Sequence, residues 1–423
     1  MRGVRIFSHG EPEGLRVIDL PPPIPGPCEV LIDVHVVGVN YPDLLVVRGV
    51  YQILAPLPFS PGKEVAGLVS AVGEGVTEFR PGDRVLAYVE NGGYVEHIAV
   101  PVTLCHRLPD QLGFVDAIGL GLGFQTAHFA LFERGGFKAG ETVLVTGATG
   151  VVGIATIQLA TACNGRVLAG CMSPTKAAFA RDHGAFDVIL LDRPDLADAL
   201  RAEVRAATGG RGADLVVEVI GGAVFDACLR SLAWCGRIVV VGFTSVGPST
   251  IRSNYLLIKN ISAIGLHWSD YRDRAPDTIR RAQQNIFRLW AEGKLRSPVT
   301  AMYPLEQAPA ALCCVRERGV LGKIVLVTSR YSADTTATQV EKVSLPQIQN
   351  SCRGTANRVV ICRRIIPDRM PCTGCFGSAR VAGSRKPSAA QLVIKHDDSA
   401  QVPTRIEVGI TAINFIKPIG SRD

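Results

Sequence analysis

The sequence predicts an α/β protein in three parts. A β-rich domain takes residues 1–120 and is rejoined by 266–330. A doubly wound parallel sheet takes 121–265, and an extension takes 331–423. Three observations carry this division. Short alternating or β-branched runs, set off by Gly and Pro, fill the first part. Strand-like and helix-like runs alternate through the second, the pattern of parallel strands joined by helical crossovers. After Thr328 the composition shifts at once to Ser, Thr, Arg and Pro with no period.

In order, the first part offers strands at 30–39, 67–73 and 83–89. The second starts with a β-branched run, Thr142 to Val145, then Gly147-Ala148-Thr149-Gly150-Val151-Val152-Gly153, then an unbroken apolar run to Ala162. A helix is predicted over 174–184, a strand over 188–191, a helix over 194–208 and a strand over 213–218. A helix over 223–232 and a strand over 237–242 follow. A long helix over 278–292 returns the chain to the first domain, where 322–328 is the final strand.

The glycine segment is the most informative. Strand, glycine turn and helix in that order make a dinucleotide cradle. Gly147 allows the sharp turn, Gly150 lets backbone approach a pyrophosphate, and Gly153 lets the helix pack on the strand. The helix N-terminus then offers free N–H groups to the phosphates. A glycine triplet alone also marks ordinary turns. The uncharged stretch 142–165 also resembles a membrane span, but its glycine density and its switch from strand to helix argue against that. An NAD site would place an acid about 20 residues beyond the glycines. Cys171, Met172 and Ser173 stand there, with Lys176 close behind. Ser173 and Lys176 suit a 2′-phosphate, so NADPH is the expected cofactor. The other reading of Lys176 is a solvated lysine at a helix start.

Composition narrows the function. The chain has 423 residues, 47% hydrophobic and 20% charged, as expected for a globular protein of two or more domains. The net charge is +7, but the first 330 residues hold 32 basic against 31 acidic side chains, so no broad face for nucleic acid is expected there. Eight of the 12 cysteines precede Tyr331 and lie on apolar segments, which suits reduced thiols. No signal peptide is read at the N-terminus, and a cytoplasmic location is expected. Cys372 and Cys375 form one Cys-x-x-Cys in the extension, but the other spacings do not repeat it; a disordered or loosely folded extension is expected.

The chain resembles the medium-chain dehydrogenase/reductase superfamily over about residues 1–328, and within it the zinc-independent quinone oxidoreductase group. The segments that carry this are Asn40-Tyr-Pro-Asp43, Arg48-Gly-Val-Tyr51, the run from Pro56 to Gly67, Arg80 to Val85, Gly92 to Glu96, Thr126-Ala127, the cradle, Leu232 to Phe243, Asn254 to Ser262, and Gly322-Lys323-Ile324. The resemblance implies a GroES-like β-rich catalytic domain beside a Rossmann doubly wound parallel sheet. It also implies hydride transfer to a quinone or an α,β-unsaturated carbonyl, and a homodimer. Zinc-dependent members read Gly-His-Glu where this chain has Gly62-Lys63-Glu64. Their early cysteine ligand falls near Asn40, and between Ala87 and Pro109 only Cys105 remains of a structural zinc loop. No metal is therefore expected.

The resemblance further sets Asn40 and Tyr51 at the acceptor, Thr126 at the nicotinamide, and Ala148 to Val152 at the pyrophosphate. Asn254 and Lys323 match family positions that lie near the cofactor or close the domains, and Gly242 and Phe243 lie at a strand's C-terminal end, where ligands bind in such sheets. Asn40 can donate to an acceptor oxygen or simply close the turn before Pro42. Tyr51 can donate a hydrogen bond or proton, or merely pack. Asp43 and Arg48 are expected to fix the loop. Lys63 is either solvated or ion-paired with a nearby acid. A family Asn-Tyr-Arg run against the adenosine phosphate is missing; Leu190-Leu191-Asp192 stands there, with Arg193 one residue on. Two other functions stay open: an enoyl-thioester reductase of the same fold, and a non-catalytic NADPH-binding protein that holds RNA through arginines such as Arg363 and Arg364. Only Phe376 lies close to those arginines as an aromatic for stacking, so nucleic acid is not an expected partner.

Overall fold

The structure, a computed structural model, describes residues 1–244 and 249–331. The first lobe opens with a hairpin, β1 (Arg2–Arg5) and β2 (Arg16–Asp19). A long strand, β3 (Glu29–Val39), leads into the short helix α1 (Tyr41–Val47). Then come β4 (Glu64–Val72), β5 (Arg84–Tyr88), β6 (His97–Pro101) and β7 (Cys105–Arg107). Val30, Ile32 and Val34 of β3 point into the core of the first lobe, as the two-residue period predicts; after a register shift Val37 continues that core and Val36 joins the other.

α2 (Phe114–Gly119), α3 (Leu122–His128) and a π-helical turn at Phe129–Arg134 cross to the second lobe. The run Phe114–Arg134 is long and apolar enough to cross a membrane by length and composition. In this fold 83% of its most apolar window is buried inside the protein.

The second lobe alternates strand and helix: β8 (Thr142–Val145), α4 (Val151–Ala162), β9 (Arg166–Cys171), α5 (Pro174–Asp182), β10 (Asp187–Leu190), α6 (Leu196–Ala207), β11 (Ala213–Glu218), α7 (Gly222–Ser231), β12 (Leu232–Val240), α8 (Ser253–Lys259) and β13 (Ser262–Gly265). The strands form one parallel sheet in the order β10-β9-β8-β11-β12-β13. The order reverses between β8 and β11, and ligands bind at such a switch point in open parallel sheets. β12 starts at Leu232, five residues before the predicted strand. A bulge explains the difference: Ala213 pairs Leu232 but Leu215 pairs Arg237, and Cys235 sits at φ 60° in between.

α9 (Trp268–Arg274) and α10 (Pro276–Ala291) return the chain to the first lobe. There β14 (Val299–Pro304), α11 (Ala308–Arg316) and β15 (Lys323–Val327) follow, and β15 pairs antiparallel with β3. One continuous core spans both lobes, from Val36, Leu86 and Phe124 through Val143 and Ile154 to Ile286 and Val325. Buried polar side chains cross the same junction. Tyr88 donates to Gln283 Oε1 at 2.6 Å, and Gln125 Nε2 donates to the same oxygen at 2.8 Å. None of the eight cysteines among the described residues is in a disulfide. Cys372, Cys375 and the basic extension lie outside the described residues.

Candidate active site

The cradle follows directly from its glycines. Gly147 takes φ 57°, a conformation L side chains rarely adopt. A Cβ at Gly153 would stand 2.4 Å from the Gly147 carbonyl oxygen and 2.6 Å from Ala148 Cα, so only glycine lets α4 seat on the turn. Gly150 is the N-cap of α4, extended at φ −76°, and no side chain caps the helix. The first-turn N–H groups of a twelve-residue helix thus lack a side-chain acceptor at the switch point, which suits a pyrophosphate. Thr149 and Gly150 are tied to the other lobe: Gly322 N donates to Thr149 O at 2.8 Å, and Gly150 bridges Gly322 in parallel.

Ser173 caps the start of α5 by position, and its hydroxyl lies 3.0 Å from that of Thr175. Lys176 is half-buried rather than freely solvated. Its ammonium donates to the Arg318 carbonyl at 3.0 Å, while the Arg318 guanidinium reaches the Thr244 carbonyl. Lys176 therefore stands between the end of β9 and the loop after α11. Arg193 is not available in this way. Its guanidinium forms 2.7 Å contacts to both Asp195 and Glu203, so its charge is taken up locally. Gly242 and Phe243 follow the end of β12, Phe243 exposed. Asn254 sits in the first turn of α8, also exposed. Thr126 turns its hydroxyl back to the Leu122 carbonyl at 2.8 Å within α3.

On the first lobe the structure gathers residues that are distant in sequence. Glu64, fully buried, accepts from Asn40 Nδ2 at 3.1 Å, from Leu122 N at 2.7 Å and from the Lys323 ammonium. Lys323 also donates to Asn40 Oδ1 at 2.6 Å. The second hydrogen of the Asn40 amide points to the Gly38 carbonyl at 3.4 Å. Both donors expected to face an acceptor are thus engaged inside the protein. Asn40 belongs to a buried knot with Glu64 and Lys323, because a buried carboxylate draws every nearby donor.

Asp43 does fix the loop. Its carboxylate accepts from Asn40 N at 2.8 Å and from Tyr94 OH at 3.1 Å, and burial raises it to about 6. Arg48 pairs with Glu11 at 2.9 Å. Of the two readings of Lys63, the ion pair holds: its ammonium meets Glu90 Oε1 at 2.5 Å and is buried. Tyr51 is half-buried, with the Lys63 ammonium 4.3 Å from its ring centre and Ser269 beside its phenol. Burial first, then the Glu90 charge, pushes its phenol up to about 12, so it stays a neutral donor at physiological pH. Sequence reasoning missed Glu64, Glu90, Ser269 and Arg272. Glu64 was readable only as part of the Gly62-Lys63-Glu64 run, and the others carry no local signal. Among the described residues no group of three or more His, Cys, Asp or Glu is placed to hold a metal.

Known proteins agree with this architecture. Residues 26–110 match the alcohol dehydrogenase GroES-like domain, and residues 151–284 match the family described as zinc-binding dehydrogenase. Quinone oxidoreductase-like protein 2 of Rattus norvegicus is 36% identical over 307 residues, 72% of this chain and 86% of that protein. The quinone oxidoreductase of Homo sapiens is 32% identical over 331 residues, 77% of this chain and 98% of its own. Among solved structures, a mycobacterial protein in complex with NADPH superposes with a TM-score of 0.72 at 32% identity, covering 77% of this chain and all of the other. The Escherichia coli quinone oxidoreductase, also solved with NADPH, gives 0.71 at 26% identity over 77% of this chain and 100% of its own. With a parallel sheet in this strand order, a glycine cradle at its switch point and relatives of this identity and coverage, the chain belongs to the quinone oxidoreductase family of the medium-chain dehydrogenase/reductase superfamily.

Proposed function

We propose that this protein is an NADPH-dependent reductase that passes hydride to a quinone or to the β-carbon of an α,β-unsaturated carbonyl, without zinc. The observation that carries the reading is the uncapped N-terminus of α4 behind Gly147 and Gly150, with Ser173 and Lys176 where an NAD site would hold an acid. NADPH complexes of two relatives support the same cofactor. When bound, NADPH supplies the hydride. The chain's own residues hold its phosphates, exclude water and meet the acceptor.

Val151 and Val152, in the first turn of α4 behind Gly150, offer backbone N–H groups to the pyrophosphate, and Ser173 and Lys176 take the 2′-phosphate. Thr126, Gly242, Phe243 and Asn254 border the cofactor. Tyr51, a neutral phenol, donates to the acceptor oxygen as charge builds there. Asn40 and Lys323 act by placement, holding the two lobes together at Glu64. Zinc independence is supported by Asn40 and Lys63, which stand at ligand positions of zinc-dependent relatives and are committed to Glu64 and Glu90.

The division at about residues 120 and 265 is supported by sheet membership, since β14 and β15 join the sheet of the first lobe. A homodimer is supported by β13, an edge strand of its sheet among the described residues, and by the exposed Leu257, Ile258 and Trp234. A cytoplasmic location is supported by the eight cysteines of the described residues, none of them in a disulfide. The test is oxidation of NADPH by a panel of quinones and enals, followed at the cofactor absorbance. No turnover with any acceptor, despite NADPH binding, would leave only a binding protein.

A further inference from the structure

Two buried cations share one carboxylate beside Tyr51. Lys63 Nζ reaches Glu90 Oε1 at 2.5 Å and the Glu90 carbonyl at 3.0 Å. Arg272 Nη1 donates to Glu90 Oε2 at 2.8 Å, and its remaining fork grips Asp273 at 2.7 and 2.9 Å. Lys63 and Arg272 are 4% and 5% exposed. Arg272 lies on α9, which enters from the second lobe after β13. The same helix carries Ser269, which lies beside the Tyr51 phenol. Its aromatic residues anchor it at the lobe junction: Trp268 stands edge-on to Tyr88 at 5.2 Å, and Tyr271 to Phe129 at 4.8 Å.

Such an array is a poor way to gain stability. Desolvating three charges costs about what their pairing returns, and apolar side chains of similar volume would do as well. What it fixes is geometry. An ion pair between the loop after β5 and α9 sets how far α9 sits from Tyr51, and a planar guanidinium tolerates little drift. A serine hydroxyl on that helix can orient the phenol only if the distance is held to a few tenths of an ångström.

We propose that Glu90 is a positioning residue: through Arg272 it locks α9 so that Ser269 aims the Tyr51 phenol, and through Lys63 it holds an ammonium against the ring of the same tyrosine. This rests on the reading of Tyr51 as the group that meets the acceptor. The acceptor side is thereby assembled from both lobes, because Tyr51, Lys63 and Glu90 come from the first and α9 follows the second. The charged groups that face Tyr51 are Lys63, Glu90, Asp43 and Arg272.

Two measurements test it. The first needs no acceptor. The phenol is titrated by its ultraviolet difference spectrum, each protein against its Tyr51→Phe counterpart. With Glu90 intact, Tyr51 should stay silent up to about pH 11; in Glu90→Gln its ionisation should begin at least about one unit lower. The second compares kcat, acceptor KM and NADPH Kd with a 1,4-naphthoquinone as acceptor. Ser269→Ala should lower kcat about tenfold with unchanged NADPH Kd, and Ser269→Thr should restore it. If Glu90→Gln does not fold, Arg272→Lys takes its place, since it keeps the charge and loses the fork; kcat should again fall at constant NADPH Kd. Wild-type kcat in Ser269→Ala, or an unmoved Tyr51 titration with only a lower melting temperature in Glu90→Gln, would overturn the proposal. An enzyme that reduces no acceptor would defeat the functional reading instead, and the titration would still decide whether Glu90 governs Tyr51.

Discussion

Gly150 and Gly153 lie one helical turn apart, and the structure assigns them separate jobs that alanine can separate. At Gly153 a new Cβ would meet two backbone atoms, 2.4 and 2.6 Å away, that cannot rotate aside. α4 must lift from the turn, and because both obstacles are backbone the cost falls in the upper part of the overpacking range, about 2–3 kcal/mol. Alanine returns about 1 kcal/mol of helix propensity. The net expectation for Gly153→Ala is a loss of about 1–2 kcal/mol of stability. At Gly150 the nearest atom to a new Cβ is the Gly147 carbonyl oxygen at 3.5 Å, an ordinary contact, and the backbone is extended. Gly150→Ala should therefore melt within about 0.5 kcal/mol of wild type. Its methyl would instead occupy the space through which a pyrophosphate approaches, so NADPH Kd should rise at least about tenfold. Urea unfolding and titration of NADPH fluorescence measure the two effects independently. A Gly153→Ala protein as stable as wild type would refute the packing account. A Gly150→Ala protein with unchanged Kd would refute the phosphate site.

Other outcomes follow from the same geometry. Lys176→Ala should weaken NADPH by about ten- to a hundredfold, the worth of a charge-assisted hydrogen bond, and leave NADH nearly unchanged; equal weakening of both cofactors would remove the 2′-phosphate role. Exhaustive chelation should leave turnover intact, and one zinc bound within residues 1–331 whose removal abolishes activity would contradict this. Lys323→Met should lower stability by about 3–5 kcal/mol, because it strands the buried Glu64 charge, and a smaller loss in thermal or urea unfolding would mean that Glu64 is not held as an anion. A protein ending at Tyr331 should fold and turn over. It retains the Arg330–Asp33 pair and the Thr328 hydrogen bond to Val34, and aggregation on truncation would show the extension to be integral.

The legible part of this molecule is the part whose physics is local. The cradle needs a strand, a turn and a helix within 20 residues, and each announces itself by β-branching, glycine or an unbroken apolar run. β3 and β11 are legible for the same reason, as alternation or a short apolar run between turns. β12 is not, because Cys235 leaves the ladder in a bulge and breaks the period that a reader would follow. The acceptor side is harder still. Glu90 lies 27 residues from Lys63 and 182 from Arg272, so nothing near any of them names the other two. The sequence offers Asn40 as an amide for the acceptor. That Glu64 and Lys323 absorb its hydrogen-bonding capacity depends on how β15 returns beside β3, which is tertiary information.

The hydrogen bond from Gly322 to Thr149 bears on how modular such an enzyme is. The phosphate loop is usually regarded as the property of its own domain, a cassette that can be exchanged between proteins. Here its outer side is propped by the start of β15, some 170 residues later in the chain and in the other lobe. A chimera that transplanted only residues 121–265 would carry the glycines without their brace. Exchange of the whole cofactor unit would have to bring the Gly322 strand with it, or supply a host strand whose first residue can take φ near 69° and pass as close to the Pro298 carbonyl.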